Sequence, residues 1–256
     1  MSGTVEFALN DAVVVITLNR PEKLNSVTPE MATELIEITD RCNNDTSVRA
    51  VILTGAGQKA FCAGSDIRVL DTYESAWDFR NRPDYCDAIR GCRKPIIAAI
   101  NGYAFGGGLE TAMSCDIRIA AANASFAAPE IKLGWIGGGG MAAHLCHAVG
   151  PSNAALMIMT GDPIDVQTAL AWGLVSQVVP PEQLLQEAQN LGSTIASRAP
   201  IAAETAKLNL KAAYGMSIED AIAYERDLQT ICFATQDAAE GRQAFKEKRP
   251  AVFRRC

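Results

Sequence analysis

The sequence predicts an α/β fold that ends in a purely helical region. Three observations carry this. Short β-branched apolar runs alternate with helical periodicity in the first part of the chain. After residue 182 the apolar spacing is helical only. With 256 residues, 48% hydrophobic and 20% charged, the chain can bury a sizeable core, and disordered or fibrous classes are excluded.

Strand-length apolar runs lie at residues 13–18, 50–54, 95–100, 116–120 and 174–179, each beside Gly, Pro, Asn or Asp punctuation. Between the first two, Thr28 can cap a helix and Pro29 suits its first position. Met31, Leu35, Ile38 and Cys42 then recur on one face. Another helix is expected over 109–114, after three glycines. Alternation of this kind argues for a largely parallel sheet. Beyond residue 182, Leu184, Ala188, Leu191 and Ile195 mark one amphipathic helix, and Ile201, Leu208 and Ala212 a second. Ser217 to Asp220 resembles a capping box opening a third, with Ile222, Leu228 and Ile231 on its apolar face. Such helices, with no sheet to cover, must bury their stripes elsewhere, either back on the core or on another subunit, the second being preferred. No internal repeat stands out.

Charge narrows the function. Lys and Arg number 23 against 29 Asp and Glu, a net charge of −6, which disfavours general nucleic-acid binding. No apolar run approaches the ~20 residues of a membrane span, so no membrane partner is expected. The acidic first ten residues lack the basic start of a signal peptide. The eight cysteines are scattered without a C-x-x-C pair and read as reduced, so a cytoplasmic location is expected. His144 and His147 flank Cys146, but four ligands are needed and no second cluster follows, so no metal is expected. Gly55-Ala-Gly57 lacks the third glycine of a dinucleotide fingerprint, and 106–108 lacks the Lys-Ser/Thr of a P-loop. No Gly-x-Ser-x-Gly elbow is present.

Two stretches hold unusual chemistry. One is Ala60-Phe-Cys-Ala-Gly-Ser-Asp-Ile67; the other is Asn101-Gly-Tyr-Ala-Phe-Gly-Gly-Gly-Leu-Glu110. Glycines at a helix start free N–H groups for an anion or a developing oxyanion, although a tight turn alone would also use them. Glu110 and Glu130 both lie among apolar neighbours. Burial would raise their pKa toward neutrality, as general acid–base work requires; either could instead cap a helix or meet a cation.

Taken together these motifs resemble the crotonase superfamily, the enoyl-CoA hydratase/isomerase family. The resemblance runs through Leu18-Asn-Arg-Pro21, Leu24-Asn25, 61–67, 101–110, Ser114-Cys-Asp116, 126–134, Thr160-Gly161, 169–175 and Ala244-Phe-Lys-Glu-Lys-Arg249. It implies a ββα spiral core with the acyl-CoA site over 1–195 and a helical trimerisation region over 196–256, giving a homotrimer or a dimer of trimers. It assigns the backbone amides of Ser65 and Gly107 to an oxyanion hole for the thioester oxygen. Glu110 would deprotonate a water and Glu130 would exchange the proton at the α-carbon. Lys23, Ala63, Asp66, Ile67, Arg68, Phe245 and Lys248 fall where relatives contact substrate and coenzyme A, Lys248, within Phe245-Lys-Glu-Lys248, reaching a neighbouring subunit's ligand. No separate cofactor is implied, because coenzyme A is part of the substrate. The implied reaction is hydration of a 2-enoyl-CoA or its reverse. A double-bond isomerase, which often manages with the carboxylate at Glu130 alone, is the alternative, followed by a non-catalytic acyl-CoA- or RNA-binding relative.

The chain departs from the family after Glu130. Many relatives read Leu-Gly-x-x-Pro-Gly-x-Gly-Gly-Thr-Gln-Arg-Leu where this chain has Leu133-Gly-Trp-Ile-Gly-Gly-Gly-Gly-Met-Ala-Ala-His-Leu145. Gly137 in place of proline is expected to remove rigidity. Trp135 either packs in the core or walls the acyl pocket. The aromatic and charged stretch 71–87, with Tyr73, Trp77, Phe79 and Tyr85, is expected to line the acyl end and to suit a polar or branched acyl group.

Overall fold

The computed structural model describes residues 3–256. Among the described residues, ten strands form two sheets. β1 (Thr4–Asn10) and β2 (Val13–Asn19) make an antiparallel hairpin whose two-residue turn places Asp11 at φ 52°. β3 (Ala50–Gly55), β5 (Ile96–Ile100), β7 (Ile117–Ala121) and β10 (Gln177–Val179) extend it in parallel, in the order β1-β2-β3-β5-β7-β10. The short strands β4 (Ala60–Cys62), β6 (Tyr103–Phe105), β8 (Ser125–Ala127) and β9 (Ile164–Asp165) form a second sheet in that order.

Twelve α-helices accompany them. The first eight are α1 (Pro29–Asn44), α2 (Ile67–Leu70), α3 (Ala76–Arg80), α4 (Tyr85–Gly91), α5 (Gly107–Ser114), α6 (Met141–Val149), α7 (Pro151–Thr160) and α8 (Val166–Ala171). The rest are α9 (Leu184–Ala196), α10 (Pro200–Ala213), α11 (Ile218–Phe233) and α12 (Gln236–Glu247). β3, β5 and β7 each lead into a short strand of the second sheet, and helix follows. This is the expected ββα spiral. Its repeat is invisible in sequence because a three-residue strand is too short to display a period of two.

β3 and β5 are buried along their whole length, as strands covered on both faces must be. One face packs on Leu35, Phe61, Leu109 and Phe126; the other meets Leu184, Ala188 and Ala196 of α9. The first helix of the tail therefore does have a sheet to cover, contrary to the expectation that all the tail helices lack one. β1 carries little strand signal in its sequence because it is an edge strand with mostly exposed side chains. The run 174–179 shortens to Gln177–Val179, since Leu174 and Val175 enter the core as irregular chain.

Both predicted caps form: Thr28 Oγ1 accepts from the Met31 amide and Ser217 Oγ from that of Asp220. α10 is pinned to the body by Lys94 Nζ on Glu204 (3.0 Å), Arg255 on the same carboxylate, and Lys207 on Asp116 (2.8 Å). The C-terminal segment is tied down where Asp237 accepts from the amides of Arg254 and Arg255. Ile218, Ile231, Phe233 and Phe245 on the last two helices remain exposed.

Candidate active site

The loops after β4 and β6 bring the two unusual stretches side by side. Val27 bridges Ser65 in parallel, its amide donating to Gly64 O and its carbonyl accepting from Asp66 N. Successive amides of an extended chain alternate in direction, so the Ser65 N–H lies outside that ladder. Gly107 is the first residue of α5, and its N–H has no carbonyl one turn back to meet. The two amides border one gap: a Cβ on Gly107 would lie 3.5 Å from Ser65 N, 3.2 Å from Gly64 Cα and 2.7 Å from the Tyr85 hydroxyl. Only glycine leaves that space open. Gly64 and Gly106 also hold positive φ, 90° and 56°.

One turn into α5, Glu110 is buried. Its Oε1 accepts from Gly139 N (2.7 Å) and Met141 N (3.1 Å). The row of glycines builds this cradle, because a Cβ on Gly137 or Gly139 would stand 2.7 or 2.8 Å from a carboxylate oxygen. The expected slackness at Gly137 is thus replaced by a fitted turn. Arg90 holds it from behind, donating to Gly139 O (2.6 Å) and Ser114 Oγ (3.1 Å). Burial raises the Glu110 pKa and the charge of Asp84 adds to this, while the two amides and Arg90 pull it back.

Glu130 sits in the 3-10 turn Pro129–Leu133, which ends at Gly134 with a left-handed φ of 86°. Its Oε1 faces Gly106, where a Cβ would approach to 2.9 Å, so the carboxyl lies over the N-terminus of α5. Oε2 is buried with no hydrogen-bond partner among the described residues. Burial raises this pKa too, and the nearby Glu110 charge raises it further. Two acids of different environment thus flank two free amides at one helix start.

The family model for enoyl-CoA hydratase/isomerase matches residues 8–255. The chain belongs to the enoyl-CoA hydratase/isomerase family. It is 42% identical to a mitochondrial enoyl-CoA hydratase of Pongo abelii, over 96% of this chain and 84% of that one. It is 38% identical to an (E)-benzylidenesuccinyl-CoA hydratase of Thauera aromatica, over 98% of each. The crystal structure of an enoyl-CoA hydratase from Bacillus anthracis matches with a TM-score of 0.91 at 36% identity, over 100% of both chains.

Other residues expected at this family's site fall into two groups. Ala63, Asp66 and Ile67 surround Ser65, but Asp66 is engaged in structure: Arg20 Nη1 (2.9 Å) and Arg68 Nη2 (2.8 Å) both bind it, and it caps α2. These partners hold its pKa well below the usual carboxylate range, the Arg68 hydrogen bond contributing most. The Arg68 guanidinium, expected on coenzyme A, pairs with Asp66 while its side chain stays 68% exposed. Lys23 is exposed at the end of the turn Pro21–Lys23. Trp135, whose role was open, is 40% exposed and therefore not a core residue. Phe245, 85% exposed, lines a separate hollow with Ala238, Gly241 and Arg242, and Lys248 ends the same helix in left-handed conformation. A single chain does not bring that pair to Glu110.

Sequence reasoning missed Arg90 and the amides of Gly139 and Met141, since backbone donors carry no signature in residue type. Tyr85, expected only as an acyl-end aromatic, is buried with its hydroxyl 3.2 Å from Ser65 Oγ, beside the paired amides. Of the 71–87 stretch, Tyr73 lines the cavity next to Ser65, whereas Trp77 points to solvent. His144 and His147 diverge: the first abuts Gly140, the second stacks edge-on against Tyr214 at 4.8 Å.

Proposed function

We propose that this chain adds water across the double bond of a 2-enoyl-CoA thioester, and removes it in reverse. One observation carries the reading: buried Glu110 and Glu130 flank the free amides of Ser65 and Gly107. The thioester oxygen accepts from both amides, which stabilise the enolate as negative charge moves onto that oxygen. Glu110, whose ionised form the two amide donors favour against the effect of burial, takes a proton from the water as the water oxygen bonds to the β-carbon. Glu130, whose acid form burial and the neighbouring charge favour, delivers its proton to the α-carbon. The proton gained by Glu110 and the one lost by Glu130 balance through solvent exchange, so one water is added per turnover.

Coenzyme A carries phosphates that an acidic chain must meet locally. Lys23 and Lys248 serve that role in this proposal, with Lys248 and Phe245 acting on a neighbouring subunit's ligand in a trimer or a dimer of trimers. The exposed apolar residues of α11 and α12 support such an assembly. No described helix is long and apolar enough to cross a membrane, and the eight free thiols suit the reducing cytoplasm proposed here. The test is incubation with 2-enoyl- and 3-enoyl-CoA thioesters, read by mass. A gain of one water on the 2-enoyl substrate is expected. Conversion at constant mass would overturn the reading.

A further inference from the structure

Next to Ser65 lies a cavity of about 150 Å³, lined also by Tyr85, Ile36 of α1, Val69, Tyr73 and Arg82. A hollow of that size accommodates a group about as large as benzene, so it suits a short acyl group. Its lining is mixed: Val27, Ile36, Val69 and Leu70 stand beside Thr28, Thr33 and Asp66, and Arg82 supplies a guanidinium.

Arg82 is held in place with most of its donors unspent. Nη1 donates to Phe79 O at 2.7 Å, and the guanidinium lies 4.2 Å from the Phe79 ring centroid. Arginine has five N–H donors. The nearest acid to it, Asp84, stands at 4.0 Å, and its other oxygen caps Cys86 N at 2.8 Å. Asp66, the acid on the cavity wall, is already bound by Arg20 and Arg68. Toward the catalytic side, a Cβ on Gly138 would be 4.0 Å from Arg82 Nη2, and Gly138 sits between the two glycines that enclose the Glu110 carboxylate. The fork is therefore preorganised, three-quarters buried, and shares one cavity with Ser65.

We infer that this site selects short 2-enoyl-CoA thioesters whose acyl group carries a second carboxylate, which Arg82 receives within the cavity. The inference rests on the hydratase reading and adds the substrate class. A planar carboxylate matches the guanidinium fork in two parallel hydrogen bonds, and desolvation in the cavity strengthens them. A neutral acyl end would leave those donors without an acceptor.

The test compares two thioesters of equal chain length, a mono-CoA 2-enedioate and its methyl ester, in native protein, R82A and R82K. Native protein is expected to favour the free acid in kcat/KM by at least about tenfold, the scale of one hydrogen bond to a charged group. The ratio should fall to about one in R82A and be partly kept in R82K, with the change mainly in KM. A native ratio of one or below, or a ratio that R82A leaves unmoved, would overturn the inference. If neither thioester is hydrated, the hydratase reading fails by itself. Calorimetric binding of the saturated diacid thioester and its methyl ester then judges Arg82 without turnover: equal affinity for the two in native protein overturns the subsite, and a preference lost in R82A supports it.

Discussion

Replacing Glu110 by glutamine isolates its proton chemistry from its geometry. E110Q keeps an Oε1 acceptor for the amides of Gly139 and Met141, which stand 2.7 and 3.1 Å from the native carboxylate, so the cradle survives. What disappears is the base. General acid–base catalysis supplies about 10²- to 10⁴-fold, so kcat should fall by that factor, or about 2.7 to 5.5 kcal/mol of barrier, with KM near native. Stability should move the other way. Burial raises the Glu110 pKa, so the folded chain favours the neutral acid. That preference is fully present below the unfolded value near 4.3 and is lost as pH rises through the raised folded value. E110Q should match native stability in acid and exceed it at pH 8, by about 1.4 kcal/mol for each unit of elevation. The assays are loss of enoyl-thioester absorbance and thermal unfolding across pH. A kcat within tenfold of native, with the fold intact, would refute the role given to Glu110.

Three other variants follow from the same contacts. G139A places a Cβ 2.8 Å from Glu110 Oε2 and 3.2 Å from Cys86 Sγ; displacing the carboxylate should cost about 100-fold in kcat, and steady-state kinetics near native would contradict the cradle. R90M removes the bond to Gly139 O and a charge that lowers the Glu110 pKa, so the acid limb of the pH–rate profile should move to higher pH. A loss of rate with that limb unmoved would mean that Arg90 only supports structure. D66N leaves Arg20 buried without its ion partner, at a cost of about 3 kcal/mol. Because the folded pKa of Asp66 is depressed, its contribution is present above the unfolded value and lost as pH falls toward the folded one. The gap between native and D66N in denaturant melts should therefore narrow in acid, and a gap constant with pH would count against the pair.

Particular residues show how far local reading reaches. The Thr28 and Ser217 caps, the stripe Met31–Leu35–Cys42 and the wholly apolar β3 and β5 depend on neighbours within one or two turns, so their pattern is on the surface of the sequence. Edge strand β1 and the three-residue strands of the second sheet are not visible there, because their pairing partners supply what their own length cannot. The glycine row shows the same limit: a run that looks slack in isolation is a fitted turn once a carboxylate fills it.

The amino-acid order by itself determined the α/β class, the helical tail, the family resemblance and the two glutamates, since these rest on periodicity and on motifs that persist in one dimension. Only the tertiary structure decided that Glu110 is held by amides 29 and 31 residues away, that α9 covers the sheet, that Arg68 pairs with Asp66, and that Arg82 shares a cavity with Ser65. Backbone donors, burial and charge pairing are properties of distance in space. Residue type alone does not encode which group will be near enough to use them.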